Sequence, residues 1–366
     1  MNWKGNMSDT KQTPLETITR LSHDFGIKDY VKGGGGNTSV KDEQTLWVKP
    51  SGTTLLTLTP EKFVAMDRAK LAELNDVEPP AEQHAREALI KESMAAAVLP
   101  SSSGRPSVEA PLHNTISARY VVHTHPALVN GLTCGLKGKA LCEKLFPEAL
   151  WLDYIDPGYT LCMEVREQIK AFAAERGAEP AFIFLKNHGV FVSGETEEEI
   201  RSHYGTLFDR LKAFYREAEV SLDLSIADCP PQSRVDAATE QVRQVLGSDW
   251  AAHVCASGPF AYSVGPVTPD HIVYSKSYPL VGDPTAEAVE SFKAQHGYLP
   301  WVIVFDDMIL GLGATETKAQ LALEFAQDSA IVQQLTKAFG GLDLMTDRAR
   351  EFIETWEVEA YRSKQL

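Results

Sequence analysis

Two histidines on alternate residues, His123 and His125, form the part of the chain best suited to bind a metal ion. Alternate side chains of a β-strand point to the same face, so the two imidazoles can converge on one cation. Imidazole is the commonest protein ligand for zinc and similar ions, and a catalytic site needs about three protein ligands and an open position. The pair therefore predicts a metal site that still needs a third ligand.

His188 is the best candidate for that ligand. It follows an apolar run, residues 181–185, and precedes Gly189, where a second apolar run begins. This pattern predicts a tight connection between two strands in which Gly189 permits unusual backbone angles. Glu109 lies upstream, at the start of a predicted helix that Ser107 can cap. A carboxylate beside a cation can act as ligand, general base or both, and the alternative is a favourable charge at a helix N-terminus.

Two loops rich in glycine and hydroxyl groups precede these residues. Residues 33–40 contain four consecutive glycines followed by Asn37, and residues 50–54 include Ser51 and Gly52. Backbone N–H groups of such loops can point at an anion, and two loops at neighbouring strand ends could form one polar cradle. The pattern matches neither the Walker A sequence nor the dinucleotide-binding G-x-G-x-x-G sequence, and a plain turn is the alternative.

The composition indicates an ordinary globular protein. With 366 residues, of which 43% are hydrophobic and 23% charged, the chain predicts two domains. A net charge of -15 argues against binding to nucleic acid or to an anionic membrane. Five cysteines without a C-x-x-C pair favour reduced thiols. Because the N-terminus lacks an apolar signal core and no apolar run approaches about 20 residues, we expect a soluble, cytoplasmic protein.

Five short motifs occur in the order and approximate spacing of the class II aldolase/adducin family. They are residues 36–38, 49–52, 106–109, 123–126 and 186–189. The chain resembles that family, which includes sugar-phosphate aldolases and ribulose-phosphate 4-epimerases, from about residue 13 to residue 220. The resemblance implies an α/β/α three-layer sandwich with a central, largely antiparallel sheet. It also implies a homo-oligomer, usually a tetramer with active sites at subunit interfaces.

The same resemblance implies roles for individual residues. A divalent metal, typically Zn²⁺ and otherwise an ion such as Mn²⁺ or Co²⁺, would be bound by His123, His125 and His188. Glu109 would coordinate the metal in the empty site and shuttle a proton during the reaction. The family's phosphate cradle would map onto Gly36, Asn37, Ser51, Gly52 and Ser107. Val108 stands where related aldolases often have a serine, so one phosphate hydroxyl is missing.

These observations predict a zinc-dependent aldolase that cleaves a ketose or ketose phosphate by retro-aldol chemistry. A Lewis-acid cation can chelate the hydroxyl and carbonyl oxygens of a ketose and stabilise the enediolate left when the C3–C4 bond breaks, without a Schiff-base lysine. A sugar-phosphate 4-epimerase and a sugar-acid phosphate decarboxylase or dehydratase are alternatives on the same scaffold. A non-catalytic, adducin-like interaction module is a further alternative, which the complete ligand set argues against.

The composition changes after about residue 221, which predicts a domain boundary. We assign residues 1–227 to the metal-binding domain and residues 228–366 to a smaller C-terminal α/β domain. Within the latter, residues 271–274 are predicted to form a strand and residues 285–296 a helix. This part resembles the region that follows the metal site in fused rhamnulose-phosphate aldolase/lactaldehyde dehydrogenases, without their Rossmann dehydrogenase.

The C-terminal domain contains a weak internal repeat of a sequence pattern found in the first domain. Residues 302–318 repeat the pattern of residues 183–197, with Asp307 where His188 stands. This repeat suggests that the C-terminal domain is a degenerate copy of the aldolase fold that lacks the metal. Chance similarity is the alternative, because strand–turn–strand–helix units recur widely.

Overall fold

The computed structural model describes residues 13–78, 80 and 82–356, and the polar N-terminal segment 1–12 lies outside them. The helices are α1 (Pro14–Asp24), α2 (Arg68–Glu73), α3 (Gln83–Ala97), α4 (Ala110–Thr115), α5 (Ala127–Thr133), α6 (Gly138–Leu145), α7 (Tyr159–Arg176), α8 (Glu197–Glu217), α9 (Gln232–Leu246), α10 (Pro269–Tyr274), α11 (Ala286–His296), α12 (Glu316–Leu335) and α13 (Asp347–Thr355). The strands are β1 (Asn37–Lys41), β2 (Thr45–Val48), β3 (Val64–Asp67), β4 (Tyr120–Thr124), β5 (Leu150–Leu152), β6 (Phe182–Leu185), β7 (Gly189–Gly194), β8 (His253–Ser257), β9 (Leu280–Val281), β10 (Val302–Val304) and β11 (Ile309–Gly313). None of the described helices is both long enough and apolar enough to cross a membrane.

Strand β4 occupies the middle of a seven-stranded sheet with the order β3-β2-β1-β4-β7-β6-β5. Its neighbours β1 and β7 both run antiparallel to it, whereas β5 and β6 pair in parallel at the edge. Valine, tyrosine and phenylalanine dominate β4 and β7, as expected for strands buried on both faces. The prediction of a central, largely antiparallel sheet is confirmed.

Helices cover both faces of this sheet. Helices α1, α5, α6 and α8 pack on one face through a core that includes Val122 and Leu207. Helices α4 and α7 pack on the other face through a core that includes Leu112 and Val121. Adjacent residues of a strand point to opposite faces, so His123 shares the α4 face with Val121. The predicted α/β/α sandwich is confirmed, and its α4 face carries the candidate site.

The C-terminal residues form a second, four-stranded sheet with the order β8-β11-β10-β9. Strand β11 is antiparallel to both β8 and β10, and β9 is parallel to β10. Strands β4, β7, β6 and β5 of the large sheet have the same order and the same relative directions. Helix α12 contacts both β11 and α5, so the two units pack against each other.

The registers of the two sheets relate individual positions. The β4–β7 pairing joins Tyr120 to Gly194, and the β8–β11 pairing joins His253 to Gly313. Counting from these pairs, the positions equivalent to the three histidines are Ala256, Gly258 and Asp307. None of these three is a histidine. We propose that the C-terminal unit is a degenerate copy of the aldolase fold, with a boundary near residue 228, that retains the topology without the ligands.

Residues 271–274, predicted from the sequence to form a strand, belong instead to helix α10. All of α10 is buried, so tertiary packing rather than an amphipathic pattern determines its conformation. The β-branched residues Ile272 and Val273 favour a strand locally, whereas Pro269 at the first turn favours a helix start. Strand β8 is a second element that the sequence prediction lacks.

Candidate metal centre

His123 lies near the end of β4 and His125 just beyond it, with both side chains almost fully buried. His123 is paired with Asn37 of β1 and with Phe191 of β7. Its ring stacks on that of Phe191 with 3.8 Å between centroids. The backbone N–H of His125 donates to the carbonyl of Tyr30 at 3.0 Å, which fixes the chain where it leaves the strand. The Nε2 atoms of the two histidines are 2.9 Å apart.

Hydrogen-bond acceptors determine the tautomer of both rings. Nδ1 of His123 lies 3.0 Å from the carbonyl oxygen of Val190, and Nδ1 of His125 lies 2.5 Å from a carboxylate oxygen of Asp270. Because a carbonyl and a carboxylate accept hydrogen bonds, each Nδ1 carries the proton and each Nε2 presents a lone pair in the neutral ring. Two lone pairs at 2.9 Å repel each other. The arrangement therefore favours a cation or a proton between the rings.

His188 is the last residue of the turn between β6 and β7 and is 8% exposed. Its Nε2 lies 3.4 Å from Nε2 of His123. The preceding residue, Asn187, adopts a left-handed backbone with φ 52°, which asparagine tolerates better than most residues. Nδ2 of Asn187 donates to the backbone carbonyls of Val267 and Asp343. The turn is thus held by the C-terminal unit.

Gly189 is needed for close packing rather than for unusual backbone angles. It is not among the residues with positive φ, so the sequence-based explanation of this glycine is wrong. A Cβ at this position would lie 2.4 Å from the carbonyl oxygen of Thr124 and 2.7 Å from Cδ2 of His125. The absence of a side chain lets the turn pass directly beside β4 and brings His188 to the other two histidines.

Gly189→Ala is expected to destabilise the protein and to separate His188 from His125. The added methyl group must displace the backbone at Thr124, and overpacking of this kind costs about 1–3 kcal/mol. Urea unfolding would measure the loss of stability, and chelator competition would measure the accompanying loss of zinc affinity.

Gly205→Ala is the matched control for this substitution. A Cβ at Gly205 would meet no atom within 4 Å outside the neighbouring backbone of its own helix, and alanine has the higher helix propensity. We therefore expect this variant to be at least as stable as the wild-type protein. If Gly189→Ala matched the wild type in both stability and zinc affinity, the packing explanation would be wrong.

The three histidines fit a small divalent cation. Their ligand atoms lie within 4.8 Å of one another, and Nε2 of His123 is 2.9 and 3.4 Å from those of His125 and His188. Tetrahedral zinc–nitrogen bonds of about 2.0–2.1 Å place ligand nitrogens about 3.3 Å apart. Imidazole nitrogens also suit other first-row divalent ions. The structure thus brings together the three residues that the sequence singles out, and their assignment as ligands is a proposal.

Glu109 lies beside this group. Its Oε1 is 3.3 Å from Nε2 of His123, and its Oε2 accepts a hydrogen bond from Nδ2 of Asn37 at 3.1 Å. Although Glu109 occupies the N-cap position of α4, its side chain makes no capping hydrogen bond. The carboxylate is therefore directed at the histidines and not at the start of its own helix.

Electrostatic interactions favour an ionised Glu109 and neutral rings at His113, His125 and His188. Burial opposes ionisation of Glu109, but the interaction of the carboxyl with His123 outweighs it and holds the pKa of the carboxyl well below its usual range. Burial lowers the pKa of His125, and burial together with the neighbouring rings lowers the pKa of His188 well below its usual range. Burial also lowers the pKa of His113, on α4, to about 3. Neutral rings keep the lone pairs that a cation requires.

Gly36, Asn37 and Ser107 lie next to the histidines. Gly36 has φ 69°, and a Cβ there would lie 2.9 Å from the carbonyl oxygen of His123. Nδ2 of Asn37 donates to Oγ of Ser107 at 2.6 Å. Oγ of Ser107 also accepts from the backbone N–H of Glu109 at 3.3 Å. Ser107 therefore does not cap α4 as predicted, but closes the short turn that positions Glu109.

Ser51 and Gly52 lie on the adjoining turn. The N–H of Ser51 donates to the carbonyl of Arg105 at 2.8 Å, and Gly52 has φ 77°. A cavity of about 790 Å³ is lined in part by Arg105, Val108 and Trp356, and its lining includes neither Ser51 and Gly52 nor any of the three histidines. Val108 packs in an apolar cluster with Trp356 and residues of α10. This packing explains why the position carries no hydroxyl.

Asp270 contacts the site but is absent from the set of residues that the sequence predicts. Its carboxylate reaches His125 over a separation of 145 residues. The available local signal is Thr268 followed by Pro269, which indicates a helix start. No pattern in the sequence links that start to a histidine in the other domain.

Comparison with known proteins agrees with this architecture. Residues 16–212 match the family described as Class II Aldolase and Adducin N-terminal domain. An L-fuculose phosphate aldolase of Methanococcus maripaludis is 26% identical over 201 residues, which are 52% of this chain and 89% of the relative. An uncharacterized oxidoreductase of Bacillus subtilis, YuxG, is 25% identical over 299 residues, or 71% of this chain. The chain spans 41% of the length of YuxG.

Class II aldolases are also among the solved structures to which this chain is similar. The N-terminal class II aldolase domain of a conserved Thermoplasma acidophilum protein has 24% identity and a TM-score of 0.49, covering 58% of this chain and 99% of its own. An L-fuculose-1-phosphate aldolase of Thermus thermophilus has 19% identity and a TM-score of 0.36, covering 55% of this chain and 93% of its own. Because the family match spans more than half of the chain, the protein belongs to the class II aldolase and adducin family.

Proposed function

We propose that this protein is a zinc-dependent lyase that cleaves a ketose or ketose phosphate by retro-aldol chemistry. The observation that carries the proposal is the convergence of three imidazole Nε2 atoms with a carboxylate oxygen of Glu109 3.3 Å from His123. Membership of the class II aldolase family supports the reaction class. The L-fuculose phosphate aldolase among the relatives supports the choice of a sugar as substrate.

Each residue of the group has a distinct task in this proposal. His123, His125 and His188 would hold the cation. When bound, a divalent cation supplies Lewis acidity, which polarises the carbonyl and hydroxyl oxygens of a ketose and stabilises negative charge on them. Cleavage removes the proton of the C4 hydroxyl and later returns a proton to C3. Glu109 is ionised and held in place by Asn37, so it is suited to accept the first proton and to deliver the second.

Polar groups around Asn37 suit the oxygens of a sugar. Oδ1 of Asn37 is buried and has no hydrogen-bond partner among the described residues, so it can accept from a substrate hydroxyl. Gly36, Ser51, Gly52 and Ser107 would form the anion cradle. Because Val108 supplies no hydroxyl, we expect weaker phosphate binding than in relatives that have a serine there. The homo-oligomer that the family resemblance implies stays a prediction.

An assay of the zinc-loaded protein against ketose 1-phosphates and unphosphorylated ketoses tests the proposal. We expect release of a three-carbon or two-carbon fragment, such as dihydroxyacetone phosphate or glycolaldehyde, that depends on the metal and stops when a chelator removes it. Interconversion of epimers without fragments would instead identify a 4-epimerase. Tight zinc binding without turnover of any substrate would favour an interaction module.

A further inference from the structure

The C-terminal unit reaches the candidate metal centre through one carboxylate. Asp270, the second residue of α10, places Oδ2 2.5 Å from Nδ1 of His125. The two side chains are only 6% and 9% exposed, so this contact is not a surface ion pair. Because a buried carboxylate is costly unless it is paired, the contact is a built feature of the interface between the units.

The contact with Asp270 determines the tautomer and the orientation of the His125 ring. The carboxylate accepts a hydrogen bond from Nδ1–H of His125. The ring therefore directs its Nε2 lone pair towards Nε2 of His123, 2.9 Å away. It also fixes the plane of the ring, because rotation would break the hydrogen bond. In His123 the backbone carbonyl of Val190 has this role. A carboxylate partner increases the basicity of an imidazole ligand in addition to orienting it.

The turn that carries His188 is fixed to the same segment. Asn187 donates to the carbonyl of Val267, three residues before Asp270, and to the carbonyl of Asp343. The side chain of Lys186 pairs with the carboxylate of Asp343 at 2.7 Å. His125 and the His188 turn therefore share one support, which the C-terminal unit provides.

The glycine-rich loop is held by the same unit. The hydroxyl of Tyr274 accepts from the N–H of Gly34 at 3.1 Å. A Cβ at Gly35 would lie 2.6 Å from Oδ2 of Asp270, so glycine is needed for the loop to pass beside this carboxylate. Lys32, just before the loop, pairs with the buried carboxylate of Asp328 on α12. The candidate site thus lies at the interface between the two units.

We propose that Asp270 is a positioning residue of the metal centre and that the C-terminal unit is needed to complete that centre. The inference rests on the metal site of the proposed function. Asp270 acts through His125 and does not touch the substrate. Whatever its evolutionary origin, the C-terminal unit is then a structural part of the site rather than an independent module.

Two substitutions in the full-length protein test the role of Asp270. Asp270→Asn keeps the shape and an acceptor oxygen but removes the charge, whereas Asp270→Ala removes both. We expect zinc affinity, measured by chelator competition, to fall about 10-fold in Asp270→Asn and about 100-fold in Asp270→Ala. In the Co²⁺-loaded protein, the visible d–d absorption should change in wavelength and intensity because the His125 ring is reoriented. A purely structural role would lower stability and leave this spectrum unchanged.

Asp307→Asn is the matched control. It makes the same change in the same unit, where the carboxylate pairs with Arg234 at 3.0 Å, and it should bind zinc like the wild-type protein. If Asp270→Asn kept both the wild-type zinc affinity and the wild-type cobalt spectrum, the inference would be overturned while the proposed function stood. If the wild-type protein bound neither ion, the proposed function would fail first. Should Asp270→Ala not fold, Asp270→Asn decides alone.

Discussion

Replacing His123 with alanine is expected to release zinc and to abolish fragment release from the sugar substrate. Nε2 of His123 is 2.9 Å from that of His125 and 3.4 Å from that of His188, so this ring is central to the group. One third of a zinc-binding free energy of about 10–16 kcal/mol is about 3–5 kcal/mol, which corresponds to an affinity loss on the order of 10³-fold. Chelator competition measures the affinity, and fragment release measures the turnover.

Two further variants make this result interpretable. His253→Ala changes an exposed histidine of β8 and should leave zinc affinity and turnover unchanged. His188→Ala should reproduce the loss seen in His123→Ala. It disturbs the core less, because His123 is fully buried and stacks on Phe191, whereas His188 lies in a turn. Full turnover by a His123→Ala protein that has lost its zinc would refute the proposed mechanism.

The convergence of the three histidines follows largely from rules that act over short distances. Strand periodicity places His123 and the residue two positions later on one side of the chain, and this local rule depends little on the rest of the fold. The glycine after His188 indicates a turn between two strands, and β6 and β7 are indeed joined there. What these patterns do not supply is the pairing of β4 with β7, which brings the turn to the histidine pair.

Asp270 illustrates a contact that short-range rules cannot supply. The conformation of α10 is determined by burial of all its residues between the two units, and the local sequence favours a strand at Ile272 and Val273. Even a correct helix assignment would not have revealed the partner of Asp270, because the docking of one domain on another leaves no periodic signal. The three histidines that the sequence singles out do lie together, but the predicted set lacks the carboxylate that supports His125.

The glycines near the site also combine a feature that the local sequence indicates with a contact that only tertiary packing reveals. The glycine-rich sequence of residues 33–36 is recognisable as a loop, yet the reason for one of its glycines is the carboxylate of Asp270 in the other unit. Gly189 is recognisable as a turn residue, yet the left-handed backbone belongs to Asn187 and the glycine is needed for contact with Thr124. Composition indicates where the chain turns, and only tertiary packing shows which atoms require the missing side chain.

Glu109→Gln is expected to retain most of the zinc affinity and to lower kcat by about 10²–10⁴-fold, the usual contribution of a positioned proton-transfer group. Glutamine preserves the length of the side chain and an oxygen that can accept from Asn37, as Oε2 does now at 3.1 Å. It cannot accept a proton from the substrate, and so the step assigned to the carboxylate is lost. Metal analysis of the purified protein and steady-state kinetics with the best substrate separate the two effects.

Glu109→Asp is the matched control, because it keeps an ionisable carboxyl on a shorter side chain and should lose less kcat than the glutamine variant. The wild-type carboxylate is 3.3 Å from Nε2 of His123, which is close enough for it to act as a metal ligand. The zinc content of Glu109→Gln tests this alternative role. If Glu109→Gln lost its zinc as completely as His123→Ala, the carboxylate would act mainly as a ligand. If Glu109→Gln turned over at the wild-type rate, another group would carry the proton, and the assignment of Glu109 would be wrong. An intermediate kcat for the aspartate variant, with zinc retained in both, is the result that a proton shuttle at this position requires.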